Sequence, residues 1–185
     1  MPTTQFFSRR QLCIFGAALG AASMGPMGQA WAQGAASGVP ALANADRKFV
    51  VEAAQGGLAE VAMGQMAQQR GSHAQVKAFG QRMAQDHSKA NDDLKRVAVA
   101  KGVQLPATMG SAHQHYADRL GKLSGAEFDR AYMKHMIDDH KKDVSDFEKA
   151  AKTAKDTDVK DFATRTLPTL HSHQQLAQTT YDAVK

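Results

Sequence analysis

Residues 76–97 read VKAFGQRMAQDHSKANDDLKRV and residues 132–151 read YMKHMIDDHKKDVSDFEKAA. In the first stretch Val76, Phe79, Met83, His87, Ala90, Leu94 and Val97 recur at three- and four-residue spacing. In the second Tyr132, Met133, Met136, His140, Val144, Phe147 and Ala151 do the same. Residues at that spacing share one face of an α-helix, which turns once in about 3.6 residues, whereas a half-buried strand would alternate. Each apolar stripe is interrupted by one histidine, His87 or His140. The flanks match as well: Met83, Asp86, His87, Asp93 and Leu94 align at one constant offset with Met136, Asp139, His140, Asp146 and Phe147. An ancient duplication and a shared site requirement both account for the match.

Outward from these stripes, glycines, prolines and caps divide the chain. A first helix is expected from Asp46, as N-cap, to Arg70 before Gly71, and a second from Ser72 to Lys101 before Gly102. A third opens with the box Ser124-Gly125-Ala126-Glu127 and runs to Ala154. A fourth spans 156–182 with a kink at Leu167-Pro168. The stretch 103–124 has room for one short helix at 111–120. Aromatic residues are only 6% of the chain and alanine is abundant, which favours helices over a sandwich or barrel. The reading is an all-α fold, a four-helix bundle with a long crossover between helices two and three.

Residues 1–32 hold no Asp or Glu. They present Ser8-Arg9-Arg10, an apolar stretch from Leu12 to Ala22, and the small-x-small end Ala30-Trp31-Ala32. This is the pattern of a signal peptide of twin-arginine type, and its apolar part is too short to anchor in a bilayer. Cleavage near Ala32 places the protein in the periplasm or outside the cell, with peripheral association with the outer membrane left open. Residues 33–45, rich in Gly, Ala, Ser and Pro, read as a flexible linker, and 46–183 as the helical domain.

Removing the leader takes Arg9 and Arg10 out of the formal charge of +5 and removes Cys13, the one cysteine. What remains excludes disulfides, cysteine-based zinc sites and cysteine nucleophiles. Lysine and arginine alternate with acids along every helix, and no nucleic-acid motif is present, so the basic balance points to no polyanionic partner. No Gly-x-Ser-x-Gly elbow occurs. After the leader there is no apolar run of about 18 residues and no alternating strand pattern, hence no membrane span.

Chemistry concentrates in the core. Glu60 and His171 share apolar or small-residue faces on helices one and four. Like His87 and His140, each stands about 15 residues, or ~22 Å, from its helix start. Four helices thus bring one carboxylate and three imidazoles to one level. A cation among Glu60, His87, His140 and His171 would remove the cost of burying an isolated carboxylate. Asp86 and Asp139 precede the two histidines and are expected to orient imidazoles on neighbouring helices or to lie on solvated faces. Met63, Met66, Met83, Met133 and Met136 read as core filler, and Met83 and Met136 beside the imidazoles would suit Cu(I) if they ligate. His73, His113, His115, His135 and His173 read as surface residues. Gly56, Gly57 and Gly64 weaken helix one by ~1 kcal/mol each relative to alanine, which indicates close helix approach or backbone room around Glu60.

Several motifs in order, FVVEAAQGGLAEVAM (49–63), the RMAQDH core within 76–91, GVQLP (102–106), HMIDDH within 128–147, and TLPTL (166–170) before His171, resemble the exported bacterial family named domain of unknown function 4142. The resemblance implies a ferritin-like fold, periplasmic location and no established activity. Members often carry the label outer membrane protein, which this composition does not support. Di-iron ferritin-like enzymes use Glu-x-x-His pairs. Here Ala84, Ile137 and Pro168 stand three residues before the three histidines, and no Cys-x-x-Cys-His haem motif occurs. The sequence therefore reads as a metal-handling or stress-protection protein holding zinc, copper or iron. A structural or partner-binding helical module and a metal-dependent oxidoreductase are the alternatives, and no catalytic residues are assigned.

Overall fold

The computed structural model describes residues 41–185. The signal-peptide reading of 1–32 and residues 33–40 of the linker lie outside them. The described residues form five helices: α1 (Asn44–Arg70), α2 (Ala74–Ala100), α3 (Gly110–Leu120), α4 (Gly125–Thr153) and α5 (Thr157–Asp182). No strand occurs among the described residues. Helix α1 packs along α2 and α4 along α5, while α2–α5 and α1–α4 contacts join the two pairs. The short α3, which fills the long connection, rests on α1 and α4.

Two buried carboxylates fasten the turns. Asp46 is not the cap of α1 that its type and position suggest, because that helix starts at Asn44. Asp46 instead sends Oδ2 across to the next pair, where it accepts from the backbone N–H groups of Lys155 (2.9 Å) and Asp156 (2.8 Å). Asp129 of α4 does the reciprocal service for the α1–α2 turn, accepting from His73 N (2.8 Å), Ser72 N (3.1 Å) and Ser72 Oγ (2.5 Å). Each satisfies helix-start amides that have no intrahelical partner. Asp156 caps α5 through Asp158 N and Val159 N. Ser124 stands at the N-cap of α4 without a side-chain cap bond. Helix α5 continues through Pro168 without interruption. The ring costs it only the rung to the Thr164 carbonyl.

Glycines set the α1–α2 distance. A Cβ on Gly64 would fall 2.5 Å from Gly80 O, and one on Gly80 would fall 2.6 Å from Gly64 O. Gly57 is likewise covered by the Asn91 side chain, whereas a Cβ on Gly56 would meet nothing within 4 Å. Close approach therefore explains Gly57 and Gly64 but not Gly56.

The apolar core has two parts. One end gathers Val50, Leu94, Val144, Phe147, Phe162 and Leu170. The other gathers Met63, Phe79, Met83, Phe128, Tyr132, Met136 and Ala177. Along each of the four long helices the sequence passes from one cluster to the other. At every crossing a polar side chain is buried: Glu60, His87, His140 and His173. A polar layer is thus held between two apolar blocks.

Candidate metal centre

The layer is built from one residue per long helix. Glu60, His87, His140 and His173 are 1%, 6%, 0% and 0% exposed. One ring nitrogen from each of the three histidines lies within 4.8 Å of the others, and their ring centroids are 5.3 to 5.7 Å apart. Glu60 lies against two of them, with Oε2 2.8 Å from His87 Nδ1 and Oε1 3.3 Å from His140 Nε2.

Acceptors fix the tautomers. His87 donates Nδ1–H to Glu60 Oε2, His140 donates Nδ1–H to Met136 O at 2.9 Å, and His173 donates Nε2–H to Asp86 Oδ2 at 2.8 Å. Each imidazole is held by one nitrogen and leaves a lone pair on the other. Those other nitrogens, His87 Nε2, His140 Nε2 and His173 Nδ1, are buried without hydrogen-bond partners, and so is Glu60 Oε1. Orphaned buried polar atoms are rare because each forfeits its hydration. Four in one layer, three of them lone-pair nitrogens whose opposite ring positions are anchored, are atoms that could hold a borderline transition-metal ion. Two ligands of one tetrahedral ion, at metal–donor distances of ~2.0–2.2 Å, stand about 3.3–3.6 Å apart. Glu60 Oε1 and His140 Nε2 have that separation.

Electrostatics keeps the imidazoles neutral. Burial, reinforced by repulsion from His87 and His173, lowers the His140 pKa to about 3. Burial lowers His173 to about 4, only partly offset by its bond to Asp86, and also lowers His87. Glu60 moves the other way: burial, then the nearby Asp139 charge, holds it well above the ordinary carboxylate range. A cation would reverse that cost.

The sequence-based set is therefore changed at one position. His171 does not enter the layer: its side chain is 49% exposed and its Nε2 stands 3.9 Å from Glu148 Oε1. His173, which reads from sequence as a surface residue, is the α5 histidine that faces the core. A signal for it exists in the chain. Val159, Phe162, Leu170, Ala177 and Thr180 are among the buried residues of α5, and stepping by three from Leu170 reaches His173, then by four Ala177. Leu167, the anchor that leads to His171, is only partly buried and places the stripe on the wrong residues.

Asp86 faces His173 and also accepts from Arg82 Nε at 3.3 Å. Burial pushes its pKa up, but the bonds from His173 and Arg82 outweigh this and leave it below the usual value. Asp139 does not touch a histidine on another helix. Its oxygen, with those of Glu60 and Asp143, forms a second group within 4.8 Å. Asp143 carries no mark in the sequence. Met83 and Met136 are fully buried in the apolar block beside the layer, and Met136 holds His140 through its carbonyl. His73 caps α2, its Nδ1 accepting from Gln75 N at 3.3 Å, while His135 stacks on Tyr116.

No helix of the described residues is long and apolar enough to cross a membrane. No curated protein matches the chain. Among solved structures, a fragment of a DUF305 protein from Deinococcus radiodurans is similar in fold, with a TM-score of 0.68 at 12% identity. The match covers 78% of this chain and 99% of that one. The model of the family described as domain of unknown function DUF4142 matches residues 32–180, and the chain belongs to that family.

Proposed function

We propose that this protein is an exported, ferritin-like four-helix bundle that binds one transition-metal ion per chain between α1, α2, α4 and α5, and serves metal handling or stress protection in the periplasm. His87 Nε2, His140 Nε2 and His173 Nδ1 are the ligands, with Glu60 Oε1 as the fourth. Asp86, Glu60 Oε2 and the Met136 carbonyl orient the rings. The observation that carries this reading is that one ring nitrogen from each of the three histidines lies within 4.8 Å of the others, while His87 Nε2, His140 Nε2, His173 Nδ1 and Glu60 Oε1 are all buried without partners. Three imidazoles and one carboxylate suit Zn2+, Cu2+ or Fe2+, and binding strength is expected to rise from iron to copper.

One observation favours a metal-free reading. A protonated Glu60 can donate from Oε1 toward His140 Nε2, 3.3 Å away, which would make the layer a structural hydrogen-bond network. That arrangement satisfies His140 but still leaves His87 Nε2 and His173 Nδ1 bare, so the metal accounts for more of the site. An oxidoreductase reading gains nothing from the geometry. Ala84, Ile137 and Leu170 stand three residues before the three core histidines, so no Glu-x-x-His pair supports a di-iron centre.

Elemental analysis of protein purified from its native compartment tests the proposal. The expected result is close to one equivalent of zinc, copper or iron, lost in the His87→Ala/His140→Ala double variant. Metal at background level, or the same content in the variant, overturns it.

A further inference from the structure

The layer is buried, so an ion needs a way in. Between α1 and α4, with the start of α3 at its rim, lies an open groove of about 520 Å3, whose α4 side carries Asp139, Asp143 and Asp146 together with Lys142 and Lys149. Behind it is an inner cavity of about 20 Å3, bounded by Glu60 and His87, which is room for about one water molecule. Ala53, Gly56, Asp143 and Phe147 line both spaces. The groove and the cavity therefore adjoin, with Asp143 and Gly56 among the residues between them.

Three features of that junction point to a cation. First, oxygens of Asp139, Asp143 and Glu60 lie within 4.8 Å of one another, and Asp139 Oδ2 and Glu60 Oε1 are buried without partners. Second, two of the three lysines that line the groove are paired elsewhere, Lys142 with Asp146 at 2.6 Å and Lys48 with Glu52 at 3.7 Å, and the third, Lys149, makes no ion pair with Asp139 or Asp143. No ion pair joins Asp139 or Asp143 to a lysine or arginine among the described residues. Third, Gly56 is not required by helix packing, since a Cβ there would touch nothing within 4 Å. It is the one helix-α1 glycine facing the site whose missing side chain leaves open space instead of admitting a neighbouring helix.

We propose that the α1–α4 groove is the access route for a hydrated divalent cation, with Asp139 and Asp143 drawing it in, Gly56 keeping the passage open, and Glu60 handing it to the histidines. The inner cavity is too small for a full hydration shell. Carboxylate oxygens replace water as the ion moves inward, and imidazole nitrogens replace them in turn. This inference rests on the core metal site and adds the path by which the site fills.

Metal-stripped protein mixed rapidly with Co2+ tests it, because cobalt held by imidazole and carboxylate gives visible absorption that reports uptake directly. Electrostatic focusing by a charged cleft is worth about ten- to a thousand-fold in association rate. The Asp139→Asn/Asp143→Asn pair is expected to slow uptake at least about tenfold and to flatten its dependence on salt, with the final cobalt content unchanged. Gly56→Leu is expected to slow uptake by obstruction, again with full final occupancy. Its helix content is checked by circular dichroism, and should that fall, the aspartate pair decides alone. Uptake at the wild-type rate in the aspartate pair, or in a folded Gly56→Leu, overturns the route. A wild-type chain that takes up no cobalt overturns the core site instead.

Discussion

Helices α2 and α4 mark their buried polar residue plainly in the sequence, α1 marks Glu60 less plainly, and α5 points to the wrong histidine. On α2 and α4 the buried residues, Val76 to Ala98 and Phe128 to Ala150, follow one stripe with His87 or His140 in its middle. A histidine there is conspicuous because everything around it is apolar. On α5 two histidines stand two positions apart, about 200° around the helix, and the preceding Pro168 and mixed polar residues blur which face is inward. On α1 the stripe is diluted by glycines, of which Gly57 and Gly64 let α2 come close. A polar residue in a clean stripe is therefore legible, whereas one in a stripe made of Gly, Thr, Gln and Ala is legible only after the stripe has been traced from both ends.

The largest expected effect tests that contrast on α5 directly. His173→Ala removes a fully buried imidazole, the proposed α5 ligand, and leaves Asp86 facing a void, so metal affinity should fall by more than about a hundredfold, beyond the ~10–100-fold usual for losing an outer partner of a ligand. His171→Ala, an exposed change, should leave affinity unaltered and stability within about 0.5 kcal/mol. Competition titration with a chromophoric chelator reads both. Equal losses from the two variants would mean that the α5 register is wrong.

A second effect separates α4 from α5 by pH. The folded-state values of His140 and His173 are lowered to about 3 and about 4 from 6.5, so between those limits the unfolded chain binds more protons than the folded one. Stability from these two groups is complete above pH 6.5 and is withdrawn as pH falls towards 4. A tenfold difference in proton affinity between the folded and unfolded chain is worth about 1.4 kcal/mol, so the loss amounts to roughly a few kcal/mol. Glu60 works in the opposite sense: its raised folded-state value supplies stability that is complete below pH 4.5 and is lost as pH rises from there through the raised value. Thermal melts of the metal-free chain between pH 7.5 and 4.5 should therefore show a decline on the acid side, reduced in His140→Leu. A profile that His140→Leu leaves unchanged would mean that the His140 imidazole is not buried as a neutral group. Because Asp86 offsets part of the burial of His173, the ring on α5 should take its proton at a higher pH than the ring on α4, as imidazole nitrogen shifts would show.

Much of the architecture is present in the sequence because helical periodicity and punctuation are local. The four long helices, the short one in the crossover, and the level at which Glu60, His87 and His140 meet all follow from spacing within single segments. What is not legible depends on contacts between segments. Asp46 has the residue type and position of an N-cap, yet its partners are amides of Lys155 and Asp156, which only the packing of α1 against the α4–α5 turn brings near. Asp143 lies next to the solvated Lys142 and three residues from His140, and nothing in its neighbours marks it. Its significance arises from Gly56 on another helix.

The smallest expected effect concerns the glycines of α1, where one residue type serves two purposes. Gly64 faces Gly80 so closely that an added Cβ would press on backbone, 2.5 Å from Gly80 O and 3.0 Å from Ala84 N. Backbone yields less readily than a side-chain end, so Gly64→Ala should force α1 and α2 apart and cost about 1–3 kcal/mol. Gly56→Ala adds a methyl group to open space in a helix interior, where alanine is favoured over glycine by about 0.8–1.0 kcal/mol, and should stabilise the chain by that amount. Urea unfolding of the two variants reads the difference in sign. If both destabilise, Gly56 is also a packing residue and the passage beside it is narrower than the geometry indicates. If Gly56→Ala stabilises, the native glycine is kept at a cost to the helix, as the proposed passage requires.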